Sequence, residues 1–173
     1  MRKLDPVCRK LWCELGVPDS YGTEPVLPFY AEREQVVNIG PNIVGRDQSL
    51  EPVAADAWDS MRRAAAEDGV ELLMVSGFRS YEYQAGLIRR KLENGESIGN
   101  ILRVNVAPGY SQHHTGRAID IATPGSRPLL EEFEKTKAFQ WLVSRAGAFG
   151  FVLSYPRDNS DGLIYEPWHW FLA

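Results

Sequence analysis

Long apolar runs are absent from the 173-residue sequence, and cysteine and basic charge are both scarce. No stretch approaches the roughly 18 consecutive apolar residues that a membrane-spanning helix requires, so a membrane span is excluded. The 19 lysines and arginines are outnumbered by 23 aspartates and glutamates, which gives a net charge of −4. Because binding to nucleic-acid phosphates requires clustered basic residues, we do not expect nucleic acid as a partner. The sequence leaves the oligomeric state open.

The two cysteines, Cys8 and Cys13, are too few for a disulfide framework. Five residues apart in a predicted helix, their Cα atoms lie beyond the roughly 7 Å limit for a disulfide. We therefore expect two free thiols, with Cys8 facing the core. The N-terminus also lacks the apolar run and the small-residue cleavage site of a secretory signal, so the sequence as written predicts a cytoplasmic protein.

Nucleotide-binding signatures are missing as well, since neither a G-x-G-x-x-G nor a P-loop pattern occurs. Aromatic residues, by contrast, are plentiful. With five Trp, seven Tyr and seven Phe, the chain has too much aromatic surface to remain disordered in water. At 44% hydrophobic and 24% charged residues, its composition is that of one compact domain with a sizeable core.

Helical patterns come mostly first and strand patterns mostly late, which predicts an α+β domain with a central antiparallel sheet flanked by helices. The first helix begins at Asp5-Pro6, a capping carboxylate followed by proline, and ends at Gly16. Residues 17–50 are rich in Pro, Gly and polar residues, so we expect an irregular segment that wraps the core. The chain thus divides into an N-terminal segment, residues 1–50, and a core, residues 51–173, within one domain. Further helices are predicted near residues 54–65, 80–94 and 139–146, and strands near 70–76, 117–122, 151–155 and 163–172, with a loop over 105–115.

The sequence has only three histidines: His113, His114 and His169. In the segment SQHHTGRAID, His113 precedes Asp120 by seven residues, and in YEPWHW, His169 follows Glu166 by three. Two imidazoles and one carboxylate with an open fourth position make a catalytic zinc set, and the remaining glutamate is a candidate base. Spacing alone does not choose between the two adjacent histidines.

The segment around Glu166 and His169 poses a geometric problem. In a regular strand, residues three apart point to opposite faces of the sheet. Pro167 stands between them, and proline in a strand marks a bulge or an edge because it donates no ladder hydrogen bond. We therefore expect a distorted strand that turns both side chains towards the metal.

Three segments of the chain carry family motifs. The pattern S-x-H-x-x-G-x-A-x-D occupies residues 111–120, E-P-W-H occupies residues 166–169, and S-G-F-R-S occupies residues 76–80 with Gln84 downstream. In this order they resemble the VanY-type D-alanyl-D-alanine carboxypeptidases, which belong with lysostaphin-like peptidases and the hedgehog domain in one zinc superfamily. The resemblance covers about residues 52–172. One departure is Phe78, where the family usually has tyrosine.

The resemblance implies a role for each motif residue. It implies that His113, Asp120 and His169 bind one zinc ion, while His114 is a structural neighbour. Glu166 would take a proton from the attacking water and pass it to the leaving amine.

The motifs also supply residues for the substrate. Arg79 would stabilise the oxyanion or hold the terminal carboxylate of the substrate. The substrate contacts implied by the resemblance are Gln84, Ser111 and Trp168, the last as a wall of the site.

The function that the resemblance implies is a zinc-dependent carboxypeptidase that removes a terminal D-alanine from a peptidoglycan stem peptide or its precursor. Two alternatives stay open: an endopeptidase that cuts within the stem or cross-bridge, and a zinc-bearing binding module without catalysis. The E-P-W-H form favours the carboxypeptidase, and Glu166 and Arg79 argue against a pure binding module. The sequence leaves open whether the scissile bond is D-Ala–D-Ala or L-Lys/diaminopimelate–D-Ala. It also leaves the compartment open, because peptidoglycan lies in the periplasm or cell wall.

Overall fold

Over residues 4–173, which the computed structural model describes, the chain forms five α-helices and six β-strands. The helices are α1 (Pro6–Leu15), α2 (Pro52–Glu67), α3 (Tyr81–Glu93), α4 (Ile98–Leu102) and α5 (Lys137–Arg145). The strands are β1 (Val37–Pro41), β2 (Asp47–Leu50), β3 (Leu73–Ser76), β4 (Ala118–Ala122), β5 (Phe151–Leu153) and β6 (His169–Leu172). Residues 1–3 of the predicted N-terminal segment lie outside the described part of the chain.

The central sheet has four antiparallel strands in the order β3-β4-β6-β5, and β1 and β2 form a separate hairpin. All five residues of β4 are buried, which is expected of a central strand covered on both faces. The predicted α+β class with a central antiparallel sheet is thus confirmed.

Two hydrophobic clusters stabilise the chain. The larger one packs α2 and α5 against the sheet, with Trp58, Met61 and Ile119 among its members. The smaller one joins α1, α3 and α4, and its members include Cys8 and Ile88. Helix α1 therefore packs with α3 and α4 in a hydrophobic cluster separate from the one under the central sheet.

Helix α1 has the boundaries that its sequence predicts. The Asp5 Oδ1 atom accepts the Val7 N–H at 2.8 Å, Pro6 occupies the first turn, and Gly16 ends the helix with φ +69°. Both cysteines are free thiols, with Cys8 buried and Cys13 exposed, as expected. Within the described part of the chain, no helix has the length and apolar character that crossing a bilayer would need.

The irregular structure predicted for residues 17–50 is wrong from Val37 onwards, where β1 and β2 form the hairpin. Most hairpin side chains are exposed or half-buried, so the alternating apolar pattern that reveals a strand is missing. A side chain organises the turn instead. The Asn42 Oδ1 atom accepts N–H bonds from Val44 and Arg46, both at 3.0 Å, and its Nδ2 donates to the Val75 carbonyl at 2.8 Å.

Other elements also differ from expectation. The predicted strand over residues 163–172 begins only at His169, because a turn occupies the residues before it. The loop over 105–115 ends in a 3-10 helix, Gln112–Thr115. The five-residue helix α4 escaped prediction because it is too short to show a helical period. The predicted division at residue 50 stays a prediction. Directly after it, the Glu51 N–H bonds to the Gly116 carbonyl at 2.9 Å.

Candidate active site

Asp120 and His169 face each other across the middle of the central sheet. They are directly opposed in the β4–β6 pairing, and Ser76 on β3 is the partner of Asp120 on the other side. Residues opposed in an antiparallel pair point to the same face, so both side chains project together. The His169 Nδ1 atom lies 3.0 Å from Asp120 Oδ1.

His113 reaches the same point from the 3-10 helix. The Ser111 hydroxyl caps this helix by accepting the His113 N–H at 3.3 Å, and Gly116 ends it with φ +69°. No other residue fits at Gly116, because a Cβ atom there would lie 2.7 Å from the Glu51 nitrogen. The geometry leaves His113 Nε2 at 3.2 Å from Asp120 Oδ2.

Each imidazole is oriented by a bond on the ring nitrogen that faces away from Asp120. His113 Nδ1 donates to the Gly77 carbonyl at 2.7 Å, and His169 Nε2 donates to Gln112 Oε1 at 2.8 Å. Such outer bonds fix the tautomer and leave the other nitrogen with a lone pair for a metal. One ring nitrogen of each histidine and one carboxylate oxygen of Asp120 lie within 4.8 Å of one another, and all three residues are buried.

Charge states at the site suit metal binding. Burial, together with the Arg79 charge, lowers the pKa of His113 to about 4, so that its ring is neutral at pH 7. Burial alone would raise the pKa of Asp120, but His113 and Arg79 outweigh it and hold that pKa well below its usual range. Neutral imidazoles and an ionised carboxylate are the forms that bind zinc, so the residues present fit such an ion.

His114 lies outside this cluster, although it is fully buried. Its Nδ1 donates to the Arg79 carbonyl at 2.7 Å, and its Nε2 accepts the Gly109 N–H at 3.1 Å. Both ring nitrogens are therefore used by the main chain. His114 connects the loop after β3 to the segment before the 3-10 helix.

Glu166 stands at the edge of the cluster because the chain turns before β6. The His169 N–H bonds to the Glu166 carbonyl at 3.1 Å, which closes a turn around Pro167. Glu166 therefore lies in a turn before the strand, and not in a distorted strand as the sequence predicts. Glu166 Oε2 lies 3.8 Å from His169 Nδ1. Burial raises the pKa of Glu166 to about 7, against the opposing effect of His169. A carboxyl group with such a pKa is suited to taking up and returning a proton near neutral pH.

Arg79 directs its guanidinium group into the site. Its Nε donates to the Ser76 hydroxyl at 2.9 Å, and its Nη2 donates to Asp120 Oδ2 at 2.5 Å. The side chain is 13% exposed, so its charge acts in a largely dry environment.

The cluster opens into a cavity of about 640 Å³, which Gln84, Ser111 and Trp168 also line. Gln84 is buried, and its Nε2 donates to the Val106 carbonyl at 2.8 Å. Trp168 is buried and belongs to the larger hydrophobic cluster. The structure thus brings all eight predicted site residues to one cavity or its walls.

Sequence reasoning missed several residues that support the site. Gln112 holds His169, and Tyr155 places its ring 4.8 Å from the His169 ring. Gln48 on the hairpin accepts the Gly77 N–H at 2.9 Å, and the Gly77 carbonyl in turn accepts from His113. The position of Gln112 next to His113 was the only available signal, since the other contacts depend on the tertiary fold.

The chain is a mixed α and β domain whose buried His/Asp/His cluster could hold a metal ion. Residues 47–172 match the family model VanY, described as D-alanyl-D-alanine carboxypeptidase. The chain therefore belongs to the VanY family.

Individual relatives agree with this assignment. A D-alanyl-D-alanine carboxypeptidase of Enterococcus faecalis (strain ATCC 700802 / V583) is 31% identical over 152 residues, covering 82% of this chain and 52% of that protein. The LdcB LD-carboxypeptidase structure is 31% identical with a TM-score of 0.67, covering 85% of this chain and 66% of that one. A VanY D,D-pentapeptidase E175A mutant in complex with Zn(II) shares the fold, at 22% identity and a TM-score of 0.60, covering 82% of this chain and 85% of that one. The chain spans about half the length of the curated relatives it matches.

The ligand set makes a direct prediction about metal content. Replacing His113, Asp120 or His169 by alanine removes a ligand, so each variant is expected to lose a zinc ion that the unaltered protein retains on dialysis. His114→Ala is the matched control, since both of its ring nitrogens are used by the main chain; it should keep zinc while losing stability. Metal analysis of the purified variants measures this. Zinc kept by His113→Ala and lost by His114→Ala would reverse the assignment.

Gln112 supplies a second prediction, because it orients His169 without being one of the three residues that could hold a metal. Gln112→Leu removes the acceptor for His169 Nε2 and is expected to weaken zinc binding roughly 10–100-fold, whereas Gln112→Glu keeps an acceptor and most of the affinity. Competition with a zinc chelator measures the affinities. Gln140→Leu, at an exposed glutamine on α5, is the control. Equal zinc affinities for Gln112→Leu and the unaltered protein would show that Gln112 has no orienting role.

Proposed function

We propose that the protein is a zinc-dependent carboxypeptidase that removes the terminal D-alanine of peptidoglycan stem peptides or their precursors. The observation that carries the proposal is the position of Glu166 beside a buried His/Asp/His cluster at the floor of a cavity. A binding module would need the three ligands but no proton-transfer group next to them. Membership of the VanY family and the Zn(II) complex of a VanY relative support the same proposal.

His113 Nε2, Asp120 and His169 Nδ1 are the atoms that would hold the ion. A zinc ion there would lower the pKa of its water and polarise the carbonyl of the scissile bond. Gln112 and the Gly77 carbonyl keep the two imidazoles in the required tautomers.

Glu166 moves the proton. Its carboxylate accepts a proton from the attacking water and returns it to the nitrogen of the leaving D-alanine, so that one group acts first as base and then as acid. Burial of the carboxyl group keeps bulk water from competing for that proton. Pro167 and the turn hold Glu166 on the same side of the sheet as His169.

Arg79 carries the fixed positive charge of the site. It contacts Asp120, so its guanidinium is close enough to the ligand cluster to stabilise negative charge on the carbonyl oxygen or to bind the terminal carboxylate of the substrate. Gln84, Ser111 and Trp168 line the same cavity and are the proposed substrate contacts.

Glu166 provides the test of catalysis. Glu166→Gln keeps the size of the side chain but cannot accept a proton, so we expect folded, zinc-loaded protein with kcat reduced about 10²–10⁴-fold. Release of D-alanine from a pentapeptide stem measures turnover, and metal analysis confirms loading. A variant that keeps most of its kcat would place the base elsewhere.

Exopeptidase action is tested by changing the C-terminal carboxylate of the substrate. A site that reads a free carboxylate should reject a neutral end, so amidating the C-terminal alanine of a pentapeptide stem is expected to lower kcat/KM at least about a hundredfold. Mass analysis of the products from free and amidated stems measures this. Equal cleavage of both, or internal fragments from cross-linked stems, would contradict the carboxypeptidase and favour the endopeptidase.

A further inference from the structure

The charges that line the active-site cavity are separated in space. It has two acidic lining residues: Asp120 is part of the His/Asp/His cluster, and Glu166 is the proposed base beside it. Away from the cluster, the charged lining residues are Arg46, Arg90 and Lys91. Apart from the cluster, Glu166 and Arg79, the charged lining of the cavity is therefore purely basic, in a protein whose net charge is −4.

These three basic side chains have no acidic protein partner. Within the described residues, no carboxylate lies within 4.0 Å of the charged atoms of Arg46, Arg90 or Lys91. Their neighbour Arg89 shows the contrast, because it reaches Glu14 at 3.6 Å and Glu82 at 3.8 Å. Unpaired cations that share one cavity attract an anionic group from solution.

Two different elements bring the charges to the cavity. Arg90 and Lys91 lie in the last turn of α3, and Arg46 lies in the turn of the β1–β2 hairpin, whose Asn42 and Gln48 also line the cavity. The hairpin turn is held to β3 by Asn42 and by a bond from the Ile43 N–H to the Met74 carbonyl at 3.1 Å. The basic residues thus stand on anchored elements.

The length of α3 gives the distance between two of the basic residues and Gln84, which lines the same cavity and is a proposed substrate contact. Gln84 and Lys91 are seven residues apart, which is about 10 Å along a helix that rises 1.5 Å per residue. An extended peptide advances about 3.3 Å per residue, so this distance corresponds to about three residues. A carboxypeptidase leaves only one substrate residue on the C-terminal side of the scissile bond, so the long part of the cavity must hold the N-terminal side.

We propose that Arg46, Arg90 and Lys91 bind a carboxylate on the N-terminal side of the scissile bond, and that the enzyme therefore prefers acidic stem peptides over amidated ones. This inference rests on the proposed carboxypeptidase function. In a stem peptide the group of the right chemistry is the free α-carboxylate of the γ-linked glutamate, or the extra carboxylate of diaminopimelate. Both lie within about three residues of the terminal D-alanine bonds. The basic region selects the substrate and takes no part in bond cleavage.

The test compares two pentapeptides that differ only in this glutamate α-carboxylate, free in one and amidated in the other. We expect kcat/KM for D-alanine release to be at least tenfold higher for the acid. In the double variant Arg90→Gln/Lys91→Gln this ratio should fall below about three. Lys137→Gln, at an exposed lysine on α5 with no place in the cavity, is the control and should retain the full ratio. A second peptide pair has diaminopimelate or lysine at the third position, and only diaminopimelate carries an extra carboxylate there. Comparing the two pairs identifies which carboxylate is bound.

A binding measurement separates this inference from the proposed activity. Calorimetry on Glu166→Gln with the same peptides reports binding alone, and it should show the same preference and the same loss in the triple variant Glu166→Gln/Arg90→Gln/Lys91→Gln. If the unaltered protein cleaves neither peptide but Glu166→Gln binds the acid more tightly than the amide, the proposed activity is wrong and the role of the basic residues is supported. Equal binding within both peptide pairs, glutamate acid against amide and diaminopimelate against lysine, or a preference that survives removal of Arg90 and Lys91, would overturn the inference.

Discussion

The buried carboxylate of Asp120 is the constraint on which the site depends. A carboxylate with 2% exposure would be strongly destabilising unless neighbouring groups compensate its charge. The Arg79 guanidinium, in the loop after β3, supplies the positive charge beside it, and an ion held together with His113 and His169 would supply more. Asp120 therefore needs the loop after β3 in place to be ionised in the interior, and it needs the 3-10 helix and strand β6 to complete the cluster that could hold the ion. Folding of the sheet and assembly of the metal site are in this sense one event.

A second set of contacts links the β1–β2 hairpin to the His/Asp/His cluster, although the hairpin contributes no residue to that cluster. Gln48 binds the Gly77 N–H, the Gly77 carbonyl binds His113, and the Ser49 carbonyl binds the Phe78 N–H at 2.8 Å. A Cβ atom at Gly77 would lie 2.6 Å from the Ser49 oxygen, so the two loops approach each other as closely as main chains allow. The same hairpin carries Arg46 into the cavity. The hairpin thus both positions His113 and shapes the region proposed to select the substrate.

The sequence was most informative where chemistry restricts the choice of residue. Three polar motifs predicted the residues that lie together around Asp120. The proline after Glu166 predicted a departure from regular strand geometry, but the chain there forms a turn before the strand and not a distorted strand. The hairpin was missed because its exposed strands carry no apolar alternation. The contact between Gln112 and His169 was missed for another reason: residues 57 positions apart meet only through the sheet register, which no local pattern encodes. The basic region was invisible because its residues are scattered between a helix and a hairpin turn.

The central claim is that His113, Asp120 and His169 form a single catalytic zinc centre with Glu166 beside it. A crystal structure of the zinc-loaded protein, with anomalous data at the zinc edge, tests this claim most directly. The account predicts one ion bound by His113 Nε2, His169 Nδ1 and an Asp120 oxygen, with one position open and Glu166 outside the ligand set. An ion bound by His114, by His169 through Nε2, or by Glu166 in place of one of the three would contradict it.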